Sequence, residues 1–135
     1  MATALYDKGR ENFAKGNFDL LNNTIKLVFV DSADYPVSLS THDALDDVTG
    51  AGRVATSGAF SGKDVTNGVF DATDVTVGTV SGDAFEAIVI YKDTGVESTS
   101  YLICYIDNYT GLPTTPNGGS ITVAFPNDSN KIFKL

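Results

Sequence analysis

Apolar positions in this chain fall mostly at alternate residues and in short runs. "TIKLVFV" (24–30) sets Ile25, Leu27 and Phe29 on one face of a strand and Lys26, Val28 and Val30 on the other, which predicts a strand buried on much of both faces. Runs of strand length recur at 53–62, 68–80, 120–125 and 131–135. The two most apolar, 86–91 and 100–107, are joined by small polar residues and predict a hairpin in mid-sheet. Alternation places Cys104 with Leu102 and Ile106 as core filler. Ile103, Tyr101 and Tyr105 fall on the opposite face, and Tyr91, Tyr101 and Tyr105 read as packing or interface aromatics.

One stretch has the longer period. Leu5, Gly9 and Phe13 lie four apart with Tyr6 beside them, and Asp7, Lys8, Arg10, Glu11 and Lys15 take the other side. This predicts an amphipathic helix within residues 1–16, stopped near Gly16. Between the strands, "TNG" (66–68), "SGD" (81–83), "KDTG" (92–95), "NGG" (117–119) and "PNDSN" (126–130) supply the left-handed or side-chain-capped positions that reversals need. "DSADYPVSLSTHDALDDVTGAG" (31–52) breaks the pattern at Pro36 and reads as a surface excursion with one capped helical turn after Thr41. The fold expected is mainly β: an antiparallel β-sandwich or jelly-roll-like domain with an N-terminal helix. It forms one domain over 1–135, its β part spanning 24–135. The closing run 131–135 is expected to pair within a sheet or to touch another subunit.

A length of 135 residues allows a core without disulfide or metal staples. The net charge of −8 excludes the Lys/Arg stripe that nucleic acid requires. A single cysteine forms no intramolecular disulfide, the first residues lack the apolar core of a signal peptide, and no run reaches the length of a membrane span. Synthesis in a cytoplasm, with no membrane and no nucleic acid as partner, is the expectation.

Candidate chemistry is thin. His42 in "STHDAL" is the sole imidazole, and neighbours on a turn rarely give triad geometry, so it reads as a surface or capping residue. Cys104 has no basic neighbour in sequence to stabilise a thiolate. His42 and Cys104 together fall short of a four-ligand zinc site. Calcium is the stronger metal alternative, with Asp31, Asp34, Asp43, Asp46, Asp47, Asp71, Asp74 and Asp107 as oxygen donors in loops. "DATD" and "DALDD" nevertheless lack the glycine-centred loop and distal Glu of an EF-hand, and solvated turn carboxylates are the simpler reading. No phosphate-binding loop is present and no cofactor is expected. Tyrosines such as Tyr35, Tyr101, Tyr105 and Tyr109 would suit a glycan-binding module, which the absence of tryptophan disfavours.

The phrases "LYDKGRENFAKGNFDLLNNTIKLVFVDSADYPVSL", "GRVATSGAFSGKDVTNGVFDATDVTV", "EAIVIYKDTG" and "TGLPTTPNGGSITVAFPNDSNKIFKL" together resemble a family of small virion structural proteins of tailed bacteriophages, over nearly the whole chain. The resemblance implies a non-enzymatic particle component. Its foremost form is a cement or decoration protein on the outer surface of the head, with the major capsid protein as partner and a homotrimer as the oligomer; a neck, tail or fibre component is the alternative. The sequence departs from that pattern at "AFPNDSN", where a tighter Asn-Gly turn is expected. On this reading the excursion and the helix make the contacts, with Tyr35, Pro36, Val37, Leu39 and Leu45 as the apolar contact residues; the competing reading has the excursion capping one open end of the sandwich.

Overall fold

A computed structural model of the chain describes residues 3–109 and 111–135. The described residues are mainly β, with antiparallel sheets and one short α-helix. Its strands are β1 (Thr3–Leu5), β2 (Ile25–Val30), β3 (Arg53–Thr56), β4 (Asp64–Thr66), β5 (Val69–Asp71), β6 (Val75–Val77), β7 (Ala87–Lys92), β8 (Leu102–Ile106), β9 (Ile121–Val123) and β10 (Phe133–Lys134), and its helix is α1 (Asp7–Ala14). A five-stranded sheet runs β1-β8-β7-β2-β3, a three-stranded sheet β10-β5-β4, and a pair β6-β9.

The predicted hairpin is indeed central: β7 lies between β8 and β2, and all but one of the residues of these two hairpin strands are buried. β2 alternates as its sequence requires. Ile25, Leu27 and Phe29 join the larger core, shared with Phe70, Val75, Val77, Val123 and Phe133 from the small sheets and with Phe125 just beyond β9. Val28 and Val30 face a second core on the other side of the sheet.

Two expectations are corrected. Residues 3–5 form a strand paired with 104–106 rather than the first turn of a helix, because Thr3, Ala4 and Leu5 complete the free edge of β8; the helix begins at Asp7. Met1 and Ala2, within the expected helix 1–16, lie outside the described residues. The alternation in β8 also fails. Ile90 pairs with Cys104 but Tyr91 pairs with Leu102, so Ile103 is an extra, bulged residue. The bulge turns Ile103 and Cys104 into the same core and sends Leu102, with Tyr105, to the opposite one.

The turn chemistry holds. Asn67 and Gly68 both have positive φ (53° and 79°) and close the β4-β5 hairpin, as a two-residue hairpin loop demands. β4 itself was not foreseen, because all three of its residues are exposed and carry no apolar alternation. At "PNDSN", Asp128 Oδ1 accepts the amides of Asn130 and Lys131, a side-chain-built reversal in place of an Asn-Gly turn.

Candidate functional site

The excursion 31–52 lies over the second face of the central sheet. Tyr35, Leu45 and Val48 are buried there against Val28, Val30, Val89, Tyr91, Leu102 and Tyr105, with Val37 and Leu39 packed at the margin. Main-chain bonds pin it on several sides: the amide of Asp7 donates to Leu39 O (2.8 Å), Leu45 to Ser100 O (2.9 Å), Leu102 to Asp43 O (3.0 Å) and Asp31 to Gly52 O (2.9 Å). Arg53 on the edge strand β3 clamps the 3-10 turn Leu45–Asp47, its guanidinium donating to Leu45 O, Val48 O and Glu97 Oε1. Ser32 donates through both its amide and its hydroxyl to Glu86 Oε1. Gly52 permits the close fit, since a Cβ there would stand 2.7 Å from Tyr35 Cβ.

Under this layer runs a hydrogen-bond chain. The Ser38 amide donates to His42 Nδ1 (3.2 Å), so that nitrogen carries no proton and the imidazole holds its hydrogen at Nε2. Tyr35 Oη therefore donates to Nδ1 (2.9 Å), and Tyr6 Oη donates to Tyr35 Oη (3.0 Å). Burial pushes the Tyr35 phenol up to about 12 and raises Tyr6 further, with the neighbouring Tyr35 adding to the shift. Both stay neutral, as a donor chain needs. The group can fix a buried face; it does not present an ionised nucleophile.

The expected contact residues thus divide. Tyr35 is 1% exposed and Leu45 8%, and both serve the core of the subunit; Pro36 is exposed, and Val37 and Leu39 are half-buried. Tyr35 and Leu45 pack on a face of the central sheet rather than over an open end of a sandwich. Cys104 is fully buried and its thiol is pushed up by desolvation, consistent with filler. Tyr91 and Tyr105 are packing residues of the second core, and Tyr101 packs at the margin of the first.

Acidic groups mark the outer surface. Residues 31–52 hold Asp31, Asp34, Asp43, Asp46 and Asp47 and neither Lys nor Arg. Asp31, Asp34 and Asp83 bring ligand-type oxygens within 4.8 Å of one another, as do Asp43, Asp46 and Asp47. Local donors already occupy several of these oxygens: Asp31 Oδ1 takes the Ala33 amide (3.0 Å) and Asp47 Oδ2 the Asp43 amide (2.8 Å). In the second trio, burial and the adjacent Asp47 carboxylate raise the Asp43 carboxyl above the usual range. Asp47 is lowered, because the amide and carboxyl of Asp43 outweigh the cost of its own burial.

Sequence reasoning missed a different surface. Leu21, Val65, Val96 and Leu135 are the large apolar side chains most exposed among the described residues, at 50, 39, 57 and 57%. Leu21, Val65 and Leu135 line one open groove with Phe13, Phe18 and Leu20. The available signal was "DLLNN", where two adjacent leucines sit among polar residues.

No helix among the described residues is long and apolar enough to cross a membrane. No protein-family model matches the chain, and no curated protein matches it.

Proposed function

We propose that this chain is a non-enzymatic structural protein of a tailed-phage virion, made in the host cytoplasm, that decorates the outer surface of the head and stabilises the lattice of the major capsid protein. The observation that carries the reading is the near full-length resemblance of its phrases, from the helix-to-strand opening to "NKIFKL", to such virion proteins. The architecture supports it in kind. Strands of the two small sheets share one core with the central sheet, which suits the β-sandwich or jelly-roll-like domain proposed, and the excursion adds a pinned layer over the other face. Such a domain offers a lattice a surface of fixed shape that needs no ordering on docking. An acidic chain also keeps clear of the packaged genome.

A trimer is the oligomer this reading favours, because a cyclic assembly matches local threefold positions and makes weak contacts multivalent. The lattice contact falls to the exposed ridge of Pro36 with the outer parts of Val37 and Leu39. Recombinant chain mixed with heads that lack it should co-sediment with them and raise their resistance to heat. Pro36→Asp should weaken that binding by roughly tenfold or more, since one charge in the desolvated centre of a contact suffices, while the melting temperature of the free protein stays unchanged. Failure of the wild-type chain to bind heads sinks the reading.

A further inference from the structure

We infer that Asn67 is a site of spontaneous chemical modification, deamidating through a cyclic imide to aspartate and isoaspartate, and that the fold shields the chain's other Asn-Gly pair. Asn-Gly occurs at 67–68 and at 117–118. The pairing favours this reaction because glycine has no Cβ to block the approach of its own amide nitrogen to the preceding side chain. Base removes the Gly68 amide proton and the nitrogen attacks Asn67 Cγ. The new C–N bond closes the ring, and the Cγ–Nδ2 bond breaks to release ammonia. Water then adds to either ring carbonyl: opening at Cγ leaves aspartate, and opening at the Asn67 main-chain carbonyl leaves isoaspartate. Nothing is oxidised or reduced; an amide and water become a carboxylic acid and ammonia.

Hydrogen bonding separates the two sites. Asn67 is exposed, and among the described residues neither its side chain nor the Gly68 amide has a hydrogen-bond partner. Leu135 donates to Gly68 O (2.9 Å), which leaves the attacking nitrogen unheld. Asn67 sits at φ 53°, so the turn must open for the ring to close; what resists is a hairpin of two three-residue strands, and every residue of β4 is exposed. The side chain also lines an open cleft with Thr66, Asp128 and Lys131, which admits the water of the second step. Asn117 is equally exposed, but its reacting groups are tied. The Gly118 amide donates to Val80 O (2.8 Å), the amide of buried Val80 donates to Gly119 O (3.0 Å), and Asn117 Oδ1 accepts the Gly119 amide (2.9 Å). Nitrogen and carbonyl must both be released there first. Each event at Asn67 adds a negative charge to a chain already at −8. Isoaspartate also inserts a main-chain carbon into a two-residue loop whose length sets the β4-β5 register. None of this depends on the virion reading.

Ageing the full chain at mildly alkaline pH, followed by tryptic digestion and mass spectrometry, tests the inference, since cleavage after Lys63 and Lys92 puts the two sites on different peptides. In the folded chain the amide-to-acid mass increment, resolved by chromatography into aspartate and isoaspartate forms, should accumulate at Asn67 at least about tenfold faster than at Asn117. In guanidinium chloride, where each site is a bare Asn-Gly, the two rates should converge. A folded chain that keeps Asn67 intact, or converts Asn117 as fast, overturns the inference. So does a preference for Asn67 that persists undiminished in the denaturant, because the fold would then not be its cause.

Discussion

Tyr6 and Tyr35 are the residues on which the second core turns, and their hydroxyls make the consequence measurable. Tyr35→Phe keeps the ring but leaves the fully buried Tyr6 hydroxyl without its acceptor, which should cost about 1–3 kcal/mol in denaturant unfolding. Adding Tyr6→Phe should recover much of that loss, because two apolar rings leave no orphan donor; a double variant as unstable as the sum of the singles contradicts the hydrogen-bond assignment. Asp43 supplies a pH test. Its folded-state carboxyl is raised, so its ionised form opposes folding above that value, and the penalty disappears once the pH falls below the ordinary aspartate range, where it is protonated folded and unfolded alike. Asp43→Asn should therefore raise the melting temperature at neutral pH by an amount worth less than about 1 kcal/mol, given its exposure, and the advantage should shrink toward acid. Equal stability at every pH would count against the Asp43–Asp47 interaction. The aromatic and acidic residues were visible in the sequence, but the Tyr6–Tyr35 pair joins positions 29 apart and follows from the path of the excursion, which local pattern does not encode.

At the level of elements, α1 and β8 meet through a glycine. A Cβ on Gly9 would stand 2.9 Å from Leu102 O and 3.0 Å from Ile103 O, both main-chain atoms fixed in the bulged strand. An alanine in an unencumbered helix gains about 1 kcal/mol over glycine. Here Gly9→Ala should instead lose about 1–3 kcal/mol, because the helix must lift off the strand; a rise in the urea midpoint would contradict this packing. The four-residue spacing of Leu5, Gly9 and Phe13 marked the helix correctly over its second half. It overreached at Leu5, where the demand of β8 for an edge partner outweighs helical periodicity. Strict alternation likewise recovered both faces of β2 and failed in β8 at Ile103, since an inserted residue leaves no trace in hydropathy. Short exposed β4 was illegible for the same reason that its hairpin turn was legible: Asn67-Gly68 is local chemistry, whereas pairing with β5 is not.

For the whole molecule, the mainly β antiparallel class was readable from turn residues and alternation, while the placement of residues 31–52 was not. Pro36 and the run of aspartates look like solvent-facing loop, yet Tyr35, Leu45 and Val48 carry that segment into a second core. The excursion is thereby a structural layer, with Pro36 exposed on it and five aspartates in the same segment. The groove at Leu21, Val65 and Leu135 is the other outward feature. The most direct test of the decoration role is the copy number of this chain in purified particles, measured by quantitative mass spectrometry against the major capsid protein. A count that scales with the capsid lattice is the predicted result; a count fixed by a single ring, or absence from the particle, would contradict it.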